Sequence, residues 1–399
     1  MKIKLHYVLM SLALIFLGAC GDDDDPIVIN RTVLVYIMGD NTLNHYVSDD
    51  ISEMTEGAAG IDLTRNNLLV YADNGSSVKF FRMYKDKKGE IVQDLVQTYN
   101  PDRNSVGLSE MKEVLSLVYK EYPAESYGLV LWSHGEGWKP GTTSSSSRWI
   151  GQDDSATLSI STLSEALSVI PYYEYILFDA CFMQSVEVAY ELREHTGYFI
   201  GSPAEIPGPG APYQDVVSAM FAKSDAAMAI ARGYYEYYRK LYTGKVPVSD
   251  RWTGGVAISV IKADKLEALA AATKSILPVL IQNGESVNVT DVLDYDRRTN
   301  GNYIGYYDFD LLMKSLANAT TVDLTSWSAA YEAAVPYAES TDKIFTGLFP
   351  GNNIGSMFSV TDYSGVSIYV PRTGSPAALN DSYKTFQWYQ DAGWSVSTN

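Results

Sequence analysis

Cys181 and His134 are the residues of this sequence best suited to covalent chemistry. A thiolate attacks carbonyl carbon readily. Free cysteine, however, is mostly protonated at neutral pH and needs a neighbouring imidazole or a helix N-terminus to lower its pKa. Both residues follow short apolar runs that read as buried strands. Residues 128–132 (GLVLW) lead into Ser133-His134-Gly135-Glu136-Gly137, and residues 175–178 (YILF) into Asp179-Ala180-Cys181. Functional groups of α/β sheets collect outside the carboxyl ends of the strands, so the two loops are expected to meet. Residues 182–194 have helical spacing, which would set Cys181 at a strand-to-helix turn, where the helix dipole stabilises a thiolate. His134 would then be the charge partner of the thiolate and the acid that protonates a leaving amine. Gly135 has no side chain, so its N–H can approach a substrate closely. Together with the Cys181 N–H it forms a candidate oxyanion hole.

The cysteine count sharpens the case. The chain has two. Cys20 closes a segment that begins with Lys2 and Lys4, continues through an apolar run over residues 7–16 and ends Leu17-Gly18-Ala19-Cys20. The run falls short of the roughly 20 residues that span a bilayer, but it suits the core of a signal peptide. The small residues before the cysteine resemble a bacterial lipobox. Residues 1–19 would be removed and Cys20 lipidated, with several acyl chains giving a stable anchor. Cys181 is then the remaining thiol, with no intramolecular partner. That pattern flags a reactive cysteine, although unpaired cysteine is also a common buried hydrophobe.

Asp22 to Asp25 follow directly, and like charges keep such a tether extended over residues 20–30. An acidic run at this position resembles the surface-export signal of Bacteroidetes lipoproteins. The expectation is an outer-membrane lipoprotein facing the cell exterior, with retention on the periplasmic side as the alternative. The formal net charge is -18, and removing the leader takes two lysines and no acid. Nucleic-acid binding needs a basic footprint, so this balance argues against it.

Other short apolar runs, residues 32–38, 68–72, 199–202 and 255–261, also read as strands. Residues 78–84 and 91–99 read as a hairpin. Helices are expected at 109–122, around 163–167 with a cap at Ser161 or Thr162, and near 226–241, 264–282, 307–316 and 326–338. Buried strands alternating with helices predict an α/β fold, a mostly parallel sheet with helices on both faces. The catalytic core is placed at residues 31–215, and residues 216–399 complete the sheet and pack helices against it.

Taken together, residues 129–138 (LVLWSHGEGW) and 176–183 (ILFDACFM) resemble the clostripain family of cysteine peptidases, of the same clan as caspases, legumains and gingipains. Residues 38–41 (MGDN), 202–213 (SPAEIPGPGAPY), 306–309 (YYDF) and 365–369 (GVSIY) extend the likeness over nearly the whole chain downstream of the leader. The resemblance implies a caspase-like three-layer sandwich, a His134–Cys181 dyad, and a carboxylate at Asp179 beside the pocket for the P1 side chain. A structural carboxylate bonded to backbone amides is the competing reading of Asp179. Ser202 and Glu205 are further substrate-pocket candidates. Cleavage after Arg or Lys would suit such a carboxylate. Basic-specific relatives, however, carry a Gly-Trp-Asp-Tyr-like stretch where this chain has Gly210-Ala211-Pro212-Tyr213, so a second acid is missing unless Glu205 replaces it. Relatives are often cut between the two catalytic blocks, which makes Arg148 a processing candidate against an inert exposed loop.

No cofactor is required by this chemistry. Calcium is an open possibility through Asp153 and Asp154, and Asp154-Ser155-Ala156 also fits a short O-glycosylation pattern. His6 leaves with the signal peptide, and His45 and His195 read as surface residues on helices. The histidines lack zinc-ligand spacing, and the sequence has neither a G-x-S-x-G elbow nor a phosphate loop. The expected function is therefore a monomeric cysteine endopeptidase working on peptide or protein substrates through an acyl-enzyme. The alternative is a catalytically silent surface lipoprotein that binds peptides or host ligands. Transpeptidation or ligation on the same dyad is a third outcome.

Overall fold

The computed structural model describes residues 28–138, 149–247, 252–281, 287–298, 303–347, 355–372 and 375–397. The signal segment, Cys20, the acidic run and Arg148 lie outside the described residues. In chain order the strands are β1 (Arg31–Met38), β2 (Asn66–Asp73), β3 (Val78–Lys85), β4 (Ile91–Tyr99), β5 (Ser126–Trp132), β6 (Trp149–Asp153), β7 (Ala156–Ser159), β8 (Tyr173–Asp179), β9 (Thr196–Gly201), β10 (Ala257–Lys262), β11 (Tyr307–Asp308), β12 (Tyr337–Ser340), β13 (Lys343–Thr346), β14 (Ser356–Ser359) and β15 (Ser367–Ile368). The principal helices are α1 (Val47–Ala58), α2 (Leu108–Glu121), α3 (Ile160–Leu167), α4 (Val186–Leu192), α5 (Tyr213–Met220), α6 (Ala226–Leu241), α7 (Leu266–Leu280), α8 (Phe309–Thr320) and α9 (Thr325–Ala334).

Among the described residues, nine strands form one sheet in the order β12-β10-β9-β8-β5-β1-β2-β3-β4. The five central strands run parallel, from β9 through β8, β5 and β1 to β2. Two antiparallel strands flank them on each side. Every residue of β1 and β2 is buried, which is why residues 33–38 and 68–72 within them are apolar without alternation. Alternate residues face different layers. Leu34, Tyr36 and Met38 of β1 join one core with residues of α2, α3, α4, α7, α8 and α9. Val33, Val35 and Ile37 join another with residues of α1, α5 and α6. The result is the three-layer, caspase-like α/β sandwich anticipated from the sequence.

Several local expectations are corrected. The helix expected over 182–194 begins only at Val186, capped by the Ser185 hydroxyl. Phe182 N–H and Gln184 N–H instead bond Ala204 O and Ser202 O, and Phe182 takes a left-handed φ of 61°. The two-turn helix therefore starts five residues after Cys181, and the expected strand-to-helix turn at the thiol is not formed. The cap of α3 is Ser159, whose hydroxyl accepts from Thr162 N–H. The expected helix 326–338 stops at Ala334, two residues before Pro336, because proline disfavours helical geometry in the residue before it. The chain then extends into the edge strand β12. The expected helix at 307–316 starts after β11, with Asp308 as its cap accepting from Leu311 N–H. His195 is half-buried in a turn rather than on a surface helix, its Nε2 bonded to Ser164 Oγ at 2.8 Å. His45 is exposed, on a short 3-10 helix.

Candidate active site

The carboxyl ends of β1, β5 and β8 carry three loops that one serine ties together. Ser133 Oγ donates to Met38 O at 2.7 Å and accepts from Gln152 N–H at 3.0 Å and Asn41 Nδ2 at 3.3 Å. Asn41 Nδ2 also reaches Met38 O and Gln152 O, each at 2.9 Å. The likeness seen in residues 38–41 thus has a physical role: this asparagine links the β1 loop to the loop after β5. The backbone N–H of Ser133 donates to Asp179 O at 3.3 Å, which brings the two predicted catalytic loops side by side.

Gly135 makes that approach possible. A Cβ there would lie 2.5 Å from Cys181 O, 3.0 Å from Ala180 Cβ and 3.2 Å from Cys181 N, distances no larger residue tolerates without the loops parting. Part of the need for glycine is therefore contact between the loops, beyond the substrate access inferred from sequence.

His134 and Cys181 line one cavity of about 210 Å³, together with Trp132, Asp179, Glu205 and Ile206. The Cys181 thiol is half-buried, and its Sγ accepts from Ile206 N–H at 3.4 Å. Burial, and then the nearby Glu205, push the thiol pKa up. That is opposite to the depression a helix terminus was expected to give. Burial also holds His134 below the usual imidazole value, with Glu136 opposing. Its Nε2 lies 2.8 Å from Thr42 Oγ1.

Asp179 forms the buried acidic wall of the cavity. It is 2% exposed. Its Oδ2 accepts from Ala211 N–H at 3.0 Å and Tyr213 OH at 2.8 Å, while Oδ1 has no partner. The structural reading of this residue accounts for one oxygen, which is bonded to backbone and tyrosine, and leaves the other unpartnered. Gly210, at φ 71°, passes so close that a Cβ would meet Asp179 Oδ2 at 2.9 Å. Burial raises the Asp179 pKa to about 6 against the two hydrogen bonds. On α1, burial and then Asp179 raise buried Asp50 to about 9. Glu53 is raised to about 7, chiefly by burial, while accepting from Tyr213 N–H.

Glu205 lines the same cavity and accepts from Gly347 N–H at 3.1 Å. Ser202 does not have the expected position. It is fully buried, and its hydroxyl accepts from Ala204 N–H, a bond within its own loop. Asp153 is committed inward as well, its Oδ2 accepting from Ser105 N–H and Oγ. Among the described residues no group of three or more His, Cys, Asp or Glu side chains is arranged to hold a metal ion.

Three contributions had no role legible in sequence, although Tyr306 lies in one of the stretches that carry the likeness. Trp252 and Phe345 form an aromatic wall of the cavity, packed edge to face at 5.0 Å; they lie in polar, glycine-containing stretches that carry no periodic signal. Arg298 pairs with Glu136 and, in a fork, with Asp296. Tyr306 OH donates to Glu136 O at 2.6 Å, and its ring stacks on Phe182 with centroids 5.5 Å apart. One segment of the C-terminal half therefore touches both predicted catalytic loops.

The chain matches the Clostripain family model over residues 35–397. The chain belongs to the clostripain family of cysteine peptidases. It is 42% identical to a secreted C11 cysteine protease from Bacteroides thetaiotaomicron, solved with an irreversible peptide inhibitor. That similarity covers 92% of this chain and 99% of that one, with a TM-score of 0.83. An inactive zymogen C11 protease from Parabacteroides distasonis is 34% identical over 92% of this chain and 99% of its own, with a TM-score of 0.77. Clostripain of Hathewaya histolytica is 26% identical over 218 residues, 46% of this chain, and the match spans 41% of clostripain's own length.

Proposed function

We propose that this clostripain-family chain is an endopeptidase with Cys181 as nucleophile and His134 as acid and base, cleaving after Arg or Lys. The observation that carries the specificity is the unpartnered Oδ1 of Asp179, a buried carboxylate oxygen in the wall of the cavity that also holds the thiol. A buried carboxylate without a cation is costly to keep ionised, and a guanidinium or ammonium group of a substrate would satisfy it.

The thiol proton passes to His134, and the thiolate attacks the scissile carbonyl. The Gly135 and Cys181 N–H groups hold the oxyanion. The C–N bond breaks as the imidazolium protonates the leaving amine, and water hydrolyses the thioester. The peptide bond after Arg148, between the two catalytic blocks, is the processing site we favour. Lipidation at Cys20, display at the outer surface of a Gram-negative outer membrane, a monomeric state and a chemistry that requires no cofactor, with calcium left open, complete the proposal. Secretion of the Bacteroides relative supports the exported location.

The test uses the soluble chain beginning at Pro26 and its Cys181→Ala variant on fluorogenic peptides varied at P1. Turnover after Arg or Lys that disappears in the variant is expected. Cys181-dependent turnover at other P1 residues alone would remove Asp179 from the specificity role. Absence of turnover after trypsin nicking near Arg148, with calcium present, would transfer the chain to the class of peptide-binding lipoproteins.

A further inference from the structure

We propose that Thr42 is a positioning residue for His134, its hydroxyl fixing which ring nitrogen faces the cavity. The inference rests on the His134–Cys181 reading given above. An imidazole has two chemically distinct nitrogens, and the partner of one sets the role of the other. Here Thr42 Oγ1 lies 2.8 Å from Nε2, which leaves Nδ1 as the nitrogen available to the thiol.

The backbone of His134 is already fixed. Its carbonyl accepts from Gly151 N–H at 3.0 Å, and Ser133 before it is tied to Met38. The ring, however, still turns about its two side-chain torsions, and Thr42 is the partner observed on it. Thr42 can hold that place because Asn41 anchors its loop: Asn41 Oδ1 accepts from Leu43 N–H at 2.9 Å while Nδ2 grips the β1 and β6 carbonyls.

A hydroxyl suits both protonation states. It accepts from Nε2–H when Nδ1 carries a lone pair, and it goes on accepting when Nδ1 takes the Cys181 proton and the ring becomes imidazolium. When Nδ1 later gives that proton to the leaving amine, the bond to Thr42 is unchanged. Among the other charged groups near the ring, Glu136 is engaged by Arg298, and Asp179 and Glu205 share the cavity with Cys181. Thr42 therefore supplies orientation where other proteins use a charged third residue.

Two readouts test this. In turnover, Thr42→Val should lower kcat on the order of tenfold with KM little changed, the loss of one oriented hydrogen bond. Thr42→Ser, which keeps the hydroxyl, should restore most of it. The second readout needs no substrate: the rate of iodoacetamide alkylation of Cys181 against pH. The limb belonging to His134 should move to lower pH in Thr42→Val, because an acceptor that stabilised the imidazolium is gone, and return in Thr42→Ser. Thr42 is exposed, so melting curves of all three proteins should coincide. Wild-type kcat and an unmoved alkylation profile in Thr42→Val would overturn the proposal, as would a Thr42→Ser variant as impaired as Thr42→Val. If the wild type cleaves no peptide, the endopeptidase reading fails, while the alkylation profiles still decide the role of Thr42.

Discussion

Asp179 has one carboxylate oxygen committed to the fold, and the proposed recognition of a basic P1 side chain falls to the other. One oxygen is held by Ala211 N–H and Tyr213 OH, and the other has no partner. Two neighbouring acids are driven to different values, about 6 for Asp179 and about 9 for Asp50. Near neutral pH the free enzyme thus carries its pocket charge on Asp179, with Asp50 neutral beside it. As pH falls through about 6, Asp179 takes up a proton, and on the proposed specificity its attraction for a cationic P1 group fades. KM for Arg and Lys peptides should therefore rise between pH 7 and pH 5, a limb that peptides neutral at P1 should lack. Asp179→Asn should flatten this limb and lower kcat/KM for basic substrates on the order of 10- to 100-fold, the range for a charged hydrogen bond. Steady-state kinetics on both substrate types across pH checks it.

At the scale of elements, the catalytic loops depend on a segment distant in sequence. Arg298 is almost fully buried between Asp296 and Glu136, and Tyr306 contacts the Glu136 carbonyl and the Phe182 ring. The segment thereby registers the loop after β5 against the loop after β8. Removing one partner of a buried ion pair strands the other charge, which costs about 3–5 kcal/mol. Arg298→Ala should lower the urea midpoint by the corresponding amount with an unchanged slope. Arg298→Lys should recover only part of it, since an ammonium cannot reproduce the forked bond to Asp296.

Over the whole molecule, a parallel centre with antiparallel margins lets helices cover both faces of the sheet, so α1 brings Asp50 into the interior against β5 and β8. That burial has a signature in the pH dependence of folding. The Asp50 carboxyl is raised to about 9 in the native state, far above the usual carboxylate value. From about pH 4 to about pH 9 the native state keeps a proton that the unfolded chain releases, so stability falls as pH rises across that window. Asp50→Asn, which mimics the neutral carboxyl, should flatten the decline. Its melting temperature should exceed that of the wild type at pH 9, by roughly 1 °C for each kcal/mol removed, and converge with it at pH 4. Differential scanning calorimetry at both values checks the sign.

The strands, and the meeting of His134 and Cys181 at one cavity, were legible in the linear chain. A buried parallel strand must be apolar throughout, and a reactive group at its carboxyl end must follow it directly, as His134 and Cys181 do. Glycine at 135 was legible as a close approach, although the neighbour the structure shows is the Cys181 backbone. Tertiary structure decided what depends on partners distant in sequence. Residues 182–184 have helical spacing, yet the N–H groups of Phe182 and Gln184 find carbonyls in the 202–204 loop, and this pairing delays the helix to Val186. Ser202 is turned inward by the same loop. The wall of Trp252 and Phe345, the grip of Arg298 and the hydroxyl of Thr42 on His134 all join segments far apart in the chain. Local propensity and spacing carry no record of such contacts, because each residue's partner is chosen only when the sheet has brought the loops to one edge.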